Sequence, residues 1–205
     1  MNKKTSQTHL NEEFWNEIEN KANTEEGATN LRKNTELSEQ LGSVFKYLLV
    51  DEKITDKKLL NQVVKIIVLM LMKGKFDSQH PNIDITKNQN ILNYSLLIFK
   101  ISLSDEHQNL LNDIIKVIGL FAKFSVYFSN GIDVAFCSGF LKFIPTLLSQ
   151  NAKPSNIQIN LLKAIGIMIS AASMMTKRSL VFYKTLLDLG IINIIFTIIK
   201  NYKTV

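Results

Sequence analysis

Beyond residue 36, apolar and polar positions alternate with the period of amphipathic helices. The first pattern occupies residues 41–49, with apolar side chains at i, i+3, i+4, i+7 and i+8. Similar patterns begin at Ile91, Phe140 and Ile191, so that successive starts are 50, 49 and 51 residues apart. The spacing predicts four related helices.

A second helical pattern lies between the members of the first. Residues 62–70, 113–121 and 160–168 have the sequences QVVKIIVLM, DIIKVIGLF and NLLKAIGIM, with starts 51 and 47 residues apart. Two interleaved patterns with a shared period near fifty predict stacked helical units, because each unit needs a neighbour to cover its apolar face.

Residues at the expected helix ends agree with this pattern. Ser155 and Gln158 have the spacing of a capping box before the third long helix, and Ser104 or Asp105 can cap the second. Pro145 lies inside an apolar pattern and is expected to kink its helix.

The first 36 residues have a different composition. They contain 5 basic and 7 acidic residues, whereas the remainder of the chain contains 19 and 11. We expect a short helix at about residues 10–18, a polar linker over 20–34, and an arm that is partly disordered or docked. Phe14 and Trp15 could anchor this arm on the body of the chain or in a partner.

Residues 138–148, SGFLKFIPTLL, resemble the second helix of an armadillo repeat, and residues 157–169 resemble its third helix. Residues 189–199, LGIINIIFTII, resemble the start of the next repeat, preceded by a short first helix at 178–188. The resemblance extends from residue 37 to the C-terminus and is best over 131–199.

This resemblance implies an all-α fold. It implies a right-handed superhelical stack of about three armadillo-like or HEAT-like repeats over residues 37–205, with residues 1–36 as an N-terminal arm. Proteins of this class act mainly by holding other macromolecules.

In peptide-binding armadillo proteins, the third helices line a concave groove with a tryptophan and, four residues later, an asparagine. The matching positions here are Lys65, Lys116 and Lys163, followed by Leu69, Leu120 and Ile167. Without the asparagines, capture of extended basic peptides is disfavoured. A lysine-lined groove favours an acidic partner, and the alternative is a solvated face without a ligand.

The last apolar pattern predicts a second interface. Its aliphatic residues are Ile191, Ile194, Ile195, Ile198 and Ile199. No third helix follows them in the sequence, and terminal repeats usually need a polar outer face. We expect a protein partner, a second copy or the N-terminal arm to cover this end.

Residues with catalytic potential are sparse. His9, His80 and His107 are far apart in sequence, and no phosphate-binding glycine loop, metal-ligand cluster or nucleophile motif is present. The adjacent carboxylates at 51–52 and 105–106 suit caps and solvated turns. We therefore expect no catalytic residues, no cofactor and no metal.

Two functions remain as hypotheses. The first is a non-catalytic adaptor or structural subunit of a larger assembly, and the resemblance allows a cytoskeletal or axonemal one. The alternative is a nucleic-acid-binding HEAT-like module, suggested by the basic body and disfavoured because Arg32 and Arg178 are the only arginines.

The sequence also bears on localisation. A lone cysteine, Cys137, allows no internal disulfide and suits a reducing compartment, where we expect it to be a buried thiol. The acidic N-terminal segment does not resemble a signal peptide. The longest charge-free run, 164–176, is shorter than the roughly 18 apolar residues of a spanning helix. A cytoplasmic protein, with or without cytoskeletal association, is expected.

Overall fold

A computed structural model describes residues 11–103, 107–124, 139–149, 155–174 and 179–202. These residues are mostly helical, which confirms the all-α class. Their α-helices are α1 Glu12–Ala22, α2 Glu25–Arg32, α3 Thr35–Leu48, α4 Lys57–Lys73, α5 Gln89–Ile101, α6 Gln108–Phe124, α7 Ile144–Ser149, α8 Asn156–Ser173, α9 Ser179–Asp188 and α10 Ile191–Tyr202. The chain divides within α6 into two compact units, Met1–Val117 and Ile118–Val205.

Helix α4 is central to the first unit. Asp56 caps its N-terminus by accepting a hydrogen bond from the Leu59 amide at 3.0 Å, and Gly74 ends it. Helices α1, α2 and α3 pack against α4, and α3 also packs against α5. The buried residues of α4 are spread around the helix: Leu59, Leu60, Val63, Val64, Ile66, Ile67, Val68, Met70 and Leu71. A helix that is apolar on most sides requires several covering neighbours.

The N-terminal residues form two helices that pack on α4. In α1, Trp15, Ile18 and Ala22 are buried at positions i, i+3 and i+7, which form one apolar face. The predicted polar linker instead contains α2, whose first turn is capped by Thr24 through the Gly27 amide at 3.0 Å. A side chain at position 27 would meet the Lys21 carbonyl oxygen, so the bend between α1 and α2 requires glycine.

A buried ion pair fastens α2 to the segment between α4 and α5. Arg32 is completely buried, Asp84 is 5% exposed, and Nε of Arg32 donates to Oδ2 of Asp84 at 2.9 Å. Nη1 of Arg32 donates to the Gly74 carbonyl at 3.0 Å, and the guanidinium lies 5.4 Å from the centre of the Phe76 ring. Asp84 also accepts hydrogen bonds from the amide and hydroxyl of Thr86. The carboxylate and the guanidinium therefore compensate each other's loss of hydration.

A β-hairpin with two-residue strands and a two-residue turn connects α3 to α4. Strand β1, Leu49–Val50, pairs antiparallel with β2, Lys53–Ile54, and the pairs are Leu49 with Ile54 and Val50 with Lys53. The turn residues Asp51 and Glu52 have φ angles of 50° and 58°, in the left-handed region. Two successive positive φ angles match the twist of a tight hairpin, although side chains other than glycine adopt them at a cost.

In the second unit, the predicted capping box is confirmed. The Gln158 amide donates to Oγ of Ser155 at 3.3 Å, and the Ser155 amide donates to Oε1 of Gln158 at 3.0 Å. Nε2 of Gln158 also donates to the Leu148 carbonyl at 2.9 Å, which fixes the start of α8 to the end of α7. Pro145 lies in the first turn of α7, where a missing amide hydrogen costs little, and a turn at residues 142–143 precedes this helix.

Helices α9 and α10 complete the second unit. Gly190, with a φ of 67°, forms the bend between them. Helix α9 packs on α8 and α10, and α10 also packs on α7. The expectations for Ser104, Asp105 and Cys137 fall outside the residues that the structure describes.

Candidate functional site

The face of α4 that contains Lys65 is occupied by α1. Polar contacts join α4 to α1 and its C-cap residue Asn23, and they include Lys58 Nζ to Glu12 Oε1 at 2.7 Å, Gln62 Nε2 to Asn16 Oδ1 at 2.7 Å, Lys65 Nζ to Glu19 Oε1 at 2.6 Å, and Lys73 Nζ to the Asn23 carbonyl at 2.8 Å. Residue numbers rise together along both helices, so α1 runs parallel to α4. The first of the predicted groove lysines therefore pairs with an acidic amphipathic helix of the chain itself.

The Glu19 carboxylate is stabilised in its charged form by this contact. The hydrogen bond from Lys65 lowers the pKa of Glu19 below its ordinary value, against the opposing effect of partial burial, and Gln62 adds a further hydrogen bond at 3.2 Å. The side chain of Glu19 is 20% exposed, whereas that of Lys65 is 58% exposed. The pair therefore lies at the edge of the α1–α4 contact.

Because of the pair between Glu19 and Lys65, we expect the packing of α1 on α4 to be sensitive to acid. Because the folded-state pKa of Glu19 is lowered, its contribution to stability is complete above the ordinary pKa of an unfolded glutamate and is lost as pH falls through the folded value. We expect the melting temperature of a Lys65→Met variant to depend less on pH, below the ordinary pKa of glutamate, than that of the unaltered chain. Thermal melts between pH 3 and 6 test this, with Lys46→Met as an exposed-lysine control. Identical pH profiles for Lys65→Met and the unaltered chain would contradict it.

The other predicted groove lysines have different environments. Lys116 pairs within its own helix, Nζ to Oδ1 of Asp113 at 2.7 Å, and its side chain is 31% exposed. Lys163 is exposed on α8. Lys65 and Lys116 belong to the first compact unit and Lys163 to the second. The residues expected four positions later, Leu69, Leu120 and Ile167, are all half-buried.

Two glycines occupy equivalent positions in the repeated sequence, three residues after the lysine. A Cβ atom at Gly119 of α6 would lie 3.0 Å from the Cβ of Ala164, so the missing side chain lets α6 approach α8 closely. A Cβ atom at Gly166 of α8 would have no neighbour within 4 Å. The same position is therefore packed against a helix in one copy and open in the next.

The open side of α8 extends along the whole helix. From residue 156 to residue 170, its exposed residues are Asn156, Ile159, Lys163, Gly166 and Ser170, at successive spacings of three and four. Positions with this spacing lie on one helical face. We call these five residues the α8 face. It offers one aliphatic side chain, one cation and a flat glycine surface.

Large apolar residues are exposed on the last two helices. They are Leu180 (76% exposed), Val181 (48%) and Leu187 (64%) on α9, and Phe196 (67%) and Ile199 (47%) on α10. We call these five residues the C-terminal apolar surface. The predicted end interface is distributed differently, because Ile191 is fully buried while Ile194, Ile195 and Ile198 are half-buried. Sequence periodicity identified the apolar helix but did not distinguish its covered side from its open side.

An open depression of about 560 Å³ lies beside the hairpin in the first unit. Its lining residues are Ser43, Lys46, Tyr47, Val50 and Thr55. This lining contains no carboxylate, imidazole or thiol to serve as a general base or nucleophile. Over the described ranges, no three His, Cys, Asp or Glu side chains are grouped so as to hold a metal ion.

None of the helices in the described part of the chain is both long and apolar enough to cross a membrane by itself. One pair, Leu180–Asp188 with Ile191–Lys200, reaches the required length and apolar composition together but is bent by 64°.

Comparison with protein-family models, curated protein sequences and solved structures found no match. None of these comparisons therefore supports the resemblance to armadillo repeats.

Proposed function

We propose that this chain is a non-catalytic interaction subunit that binds an amphipathic helix of a protein partner on the α8 face. The observation that carries the proposal is the contrast between Gly119, which packs against Ala164, and Gly166, which faces solvent. If the two positions are equivalent, α8 lacks the neighbouring helix that α6 has. A helix of the partner would occupy this place.

The lengths of the helices support an armadillo-like interpretation. Helices α4, α6 and α8 contain the three copies of the lysine motif and have 17, 17 and 18 residues. Helices α3, α5 and α7 precede them in alternation, as second helices precede third helices in armadillo repeats. On this interpretation the repeats form a right-handed superhelical stack, and α9 and α10 have the places of the first two helices of a further repeat.

The contact between α1 and α4 indicates the chemistry of the partner. There, an acidic helix places Glu19 on Lys65, at the first position of the lysine series. We propose that a partner helix places a carboxylate on Lys163 in the same way. A small residue of that helix would meet Gly166, because two helices with small residues at their contact can approach closely. An acidic, amphipathic segment with a small residue in its apolar face fits these requirements.

Nucleic-acid binding remains the alternative class, and one observation disfavours it. Arginine is the side chain best suited to bidentate phosphate contacts. Arg32 is buried and bound to Asp84 and the Gly74 carbonyl, so it is inaccessible to a phosphate backbone. A protein ligand in a cytoplasmic assembly, with a cytoskeletal or axonemal one as the suggested setting, is therefore the better proposal.

Two substitutions on the α8 face test the proposal. Gly166→Leu adds a bulky side chain where a Cβ atom meets nothing, and it should improve helix propensity, so the fold is expected to remain intact. Lys163→Glu reverses the charge. We expect each variant to reduce recovery of the co-purifying partner proteins from native cells by roughly tenfold or more, measured by quantitative mass spectrometry.

The matched controls are Gly139→Leu, at another glycine with open space around its Cβ position, and Lys142→Glu, at another exposed lysine of the second unit. Both should leave recovery unchanged. If all four variants recover the same proteins as the unaltered chain, the α8 face is not the binding site. If no protein co-purifies reproducibly with the unaltered chain, the proposed function itself is wrong.

A further inference from the structure

Helix α9 is apolar on two sides, but only one side is covered. Phe182 and Leu186 are buried within the second unit, whereas Leu180 and Leu187 are 76% and 64% exposed. A helix in water normally presents polar residues to solvent and reserves apolar ones for its packed face. The exposed side of α9 therefore has the composition of a surface that is removed from water in its working state.

Helix α10 repeats this arrangement. Ile191 is completely buried, while Phe196 and Ile199 are 67% and 47% exposed. Helices α1 and α2 of the N-terminal arm, one of the predicted covers for this end, pack on α4, and Trp15 is fully buried. Docking of α1 therefore leaves the apolar residues of α9 and α10 exposed within a single chain.

Exposed lysines lie among these exposed apolar residues. Lys184 is exposed four residues after Leu180 and three before Leu187, and Lys200 is exposed four residues after Phe196. Between residues 179 and 202, these two lysines and Asp188 are the only Lys, Arg, Asp or Glu residues. Exposed leucine and phenylalanine interspersed with lysine are typical of helices that lie in the interface of a membrane.

We infer that the C-terminal apolar surface docks on an anionic lipid bilayer, with its apolar side chains among the acyl chains and with Lys184 and Lys200 at the headgroups. Charge complementarity favours a bilayer over a second copy of the chain. A symmetric pairing of two copies would place this basic surface against itself, with Asp188 as the single acidic residue to offset it. An anionic bilayer accommodates both the lysines and the apolar side chains.

The lengths of α9 and α10 and the bend between them indicate that these helices lie on a bilayer and do not cross it. Helices α9 and α10 have 10 and 12 residues, which correspond to about 15 and 18 Å, and a hydrocarbon core is about 30 Å thick. The 64° bend between them prevents one straight span. Their other sides are also engaged with α7 and α8. Only the exposed side chains are therefore available to enter the membrane.

Sedimentation with sucrose-loaded vesicles tests this inference. The 205-residue chain is tested with vesicles of phosphatidylcholine alone and with vesicles that contain roughly 30% phosphatidylserine. We expect binding to the anionic vesicles that is at least about tenfold stronger than to the neutral ones. Leu180→Ser/Leu187→Ser/Phe196→Ser should weaken binding to anionic vesicles by about tenfold or more while keeping the net charge, because three exposed apolar side chains that would enter the bilayer are lost. Lys184→Glu/Lys200→Glu should abolish the preference for anionic lipid.

The control Tyr47→Ser/Met72→Ser removes exposed apolar side chains from the first unit and should bind like the unaltered chain. Equal binding by the triple serine variant would mean that net charge alone attracts the vesicles, and it would overturn the inference. A dimer of the unaltered chain that becomes monomeric in the triple serine variant, without vesicle binding, would overturn it in favour of self-association. Gly166→Leu should bind vesicles normally, so this result is independent of the proposed partner site.

Discussion

Replacing Arg32 with methionine is expected to lower the free energy of unfolding by about 3–5 kcal/mol, because it leaves the buried Asp84 carboxylate without its cation. The substitution also removes the donor to the Gly74 carbonyl, 42 residues away in sequence. Urea unfolding followed by circular dichroism and by the fluorescence of the single tryptophan, Trp15, measures the loss.

The neighbouring cation provides the control. Lys33 pairs with Asp77 at 3.0 Å but is 36% exposed, so Lys33→Met should cost only about 0–1 kcal/mol. A double variant, Arg32→Met/Asp84→Leu, should recover part of the loss, since replacing a buried ion pair with apolar residues removes the unpaired charge. If Arg32→Met and Lys33→Met are equally stable, the buried pair does not fasten α2 to the fold.

Replacing Trp15 with alanine is expected to lower the free energy of unfolding by about 3–5 kcal/mol and to release α1 from α4. Trp15 is completely buried, and Phe14 stacks edge-on against it at 5.0 Å between ring centres. Its loss leaves a large cavity under a helix that has only two other buried side chains, Ile18 and Ala22. Thermal melts followed by circular dichroism give the stability, and limited proteolysis shows whether residues 11–33 become accessible.

Tyr47→Ala is the matched aromatic control, because Tyr47 is 54% exposed and its loss should change stability by less than about 0.5 kcal/mol. Protease resistance of residues 11–33 in Trp15→Ala, together with an unchanged melting temperature, would show that the polar contacts of α1 hold it in place without the tryptophan.

Most of the helical body could be predicted from the sequence, because periodicity is a local property. The pattern at residues 41–49 corresponds to α3, the three lysine motifs lie in α4, α6 and α8, and the expected helix at 178–188 corresponds to α9. The capping box was also predictable, since both of its hydrogen bonds join residues three positions apart.

The N-terminal segment is held by tertiary contacts that the periodicity of the sequence does not predict. Helix α2 is polar enough to resemble a linker, and its place in the fold depends on the pairing of Arg32 with Asp84, 52 residues later. Glu19 and Lys65 likewise meet across a long stretch of sequence. Such pairings follow from tertiary packing, and the spacing of residues within one helix contains no information about them.

The candidate site was predictable only in part. The motif identified Lys163 as a candidate ligand, but the difference between Gly119 and Gly166 depends on which helix lies beside each one. In the same way, the apolar pattern of residues 191–199 placed Ile191 on the expected interface, although the fold buries it and exposes Phe196. Equivalent positions in a repeated sequence can therefore have different roles according to their neighbours.

The pairing of Arg32 with Asp84 also sets an order of events during synthesis of the chain. Helices α1 and α2 leave the ribosome before the residues that bury their apolar and charged side chains have been made. With 52 residues between the two partners and an elongation rate of roughly 5–20 residues per second, this interval lasts roughly 3–10 s. Trp15 likewise stays uncovered until α4, which begins at Lys57, has been made, so the nascent N-terminal segment exposes a large apolar side chain before it can fold.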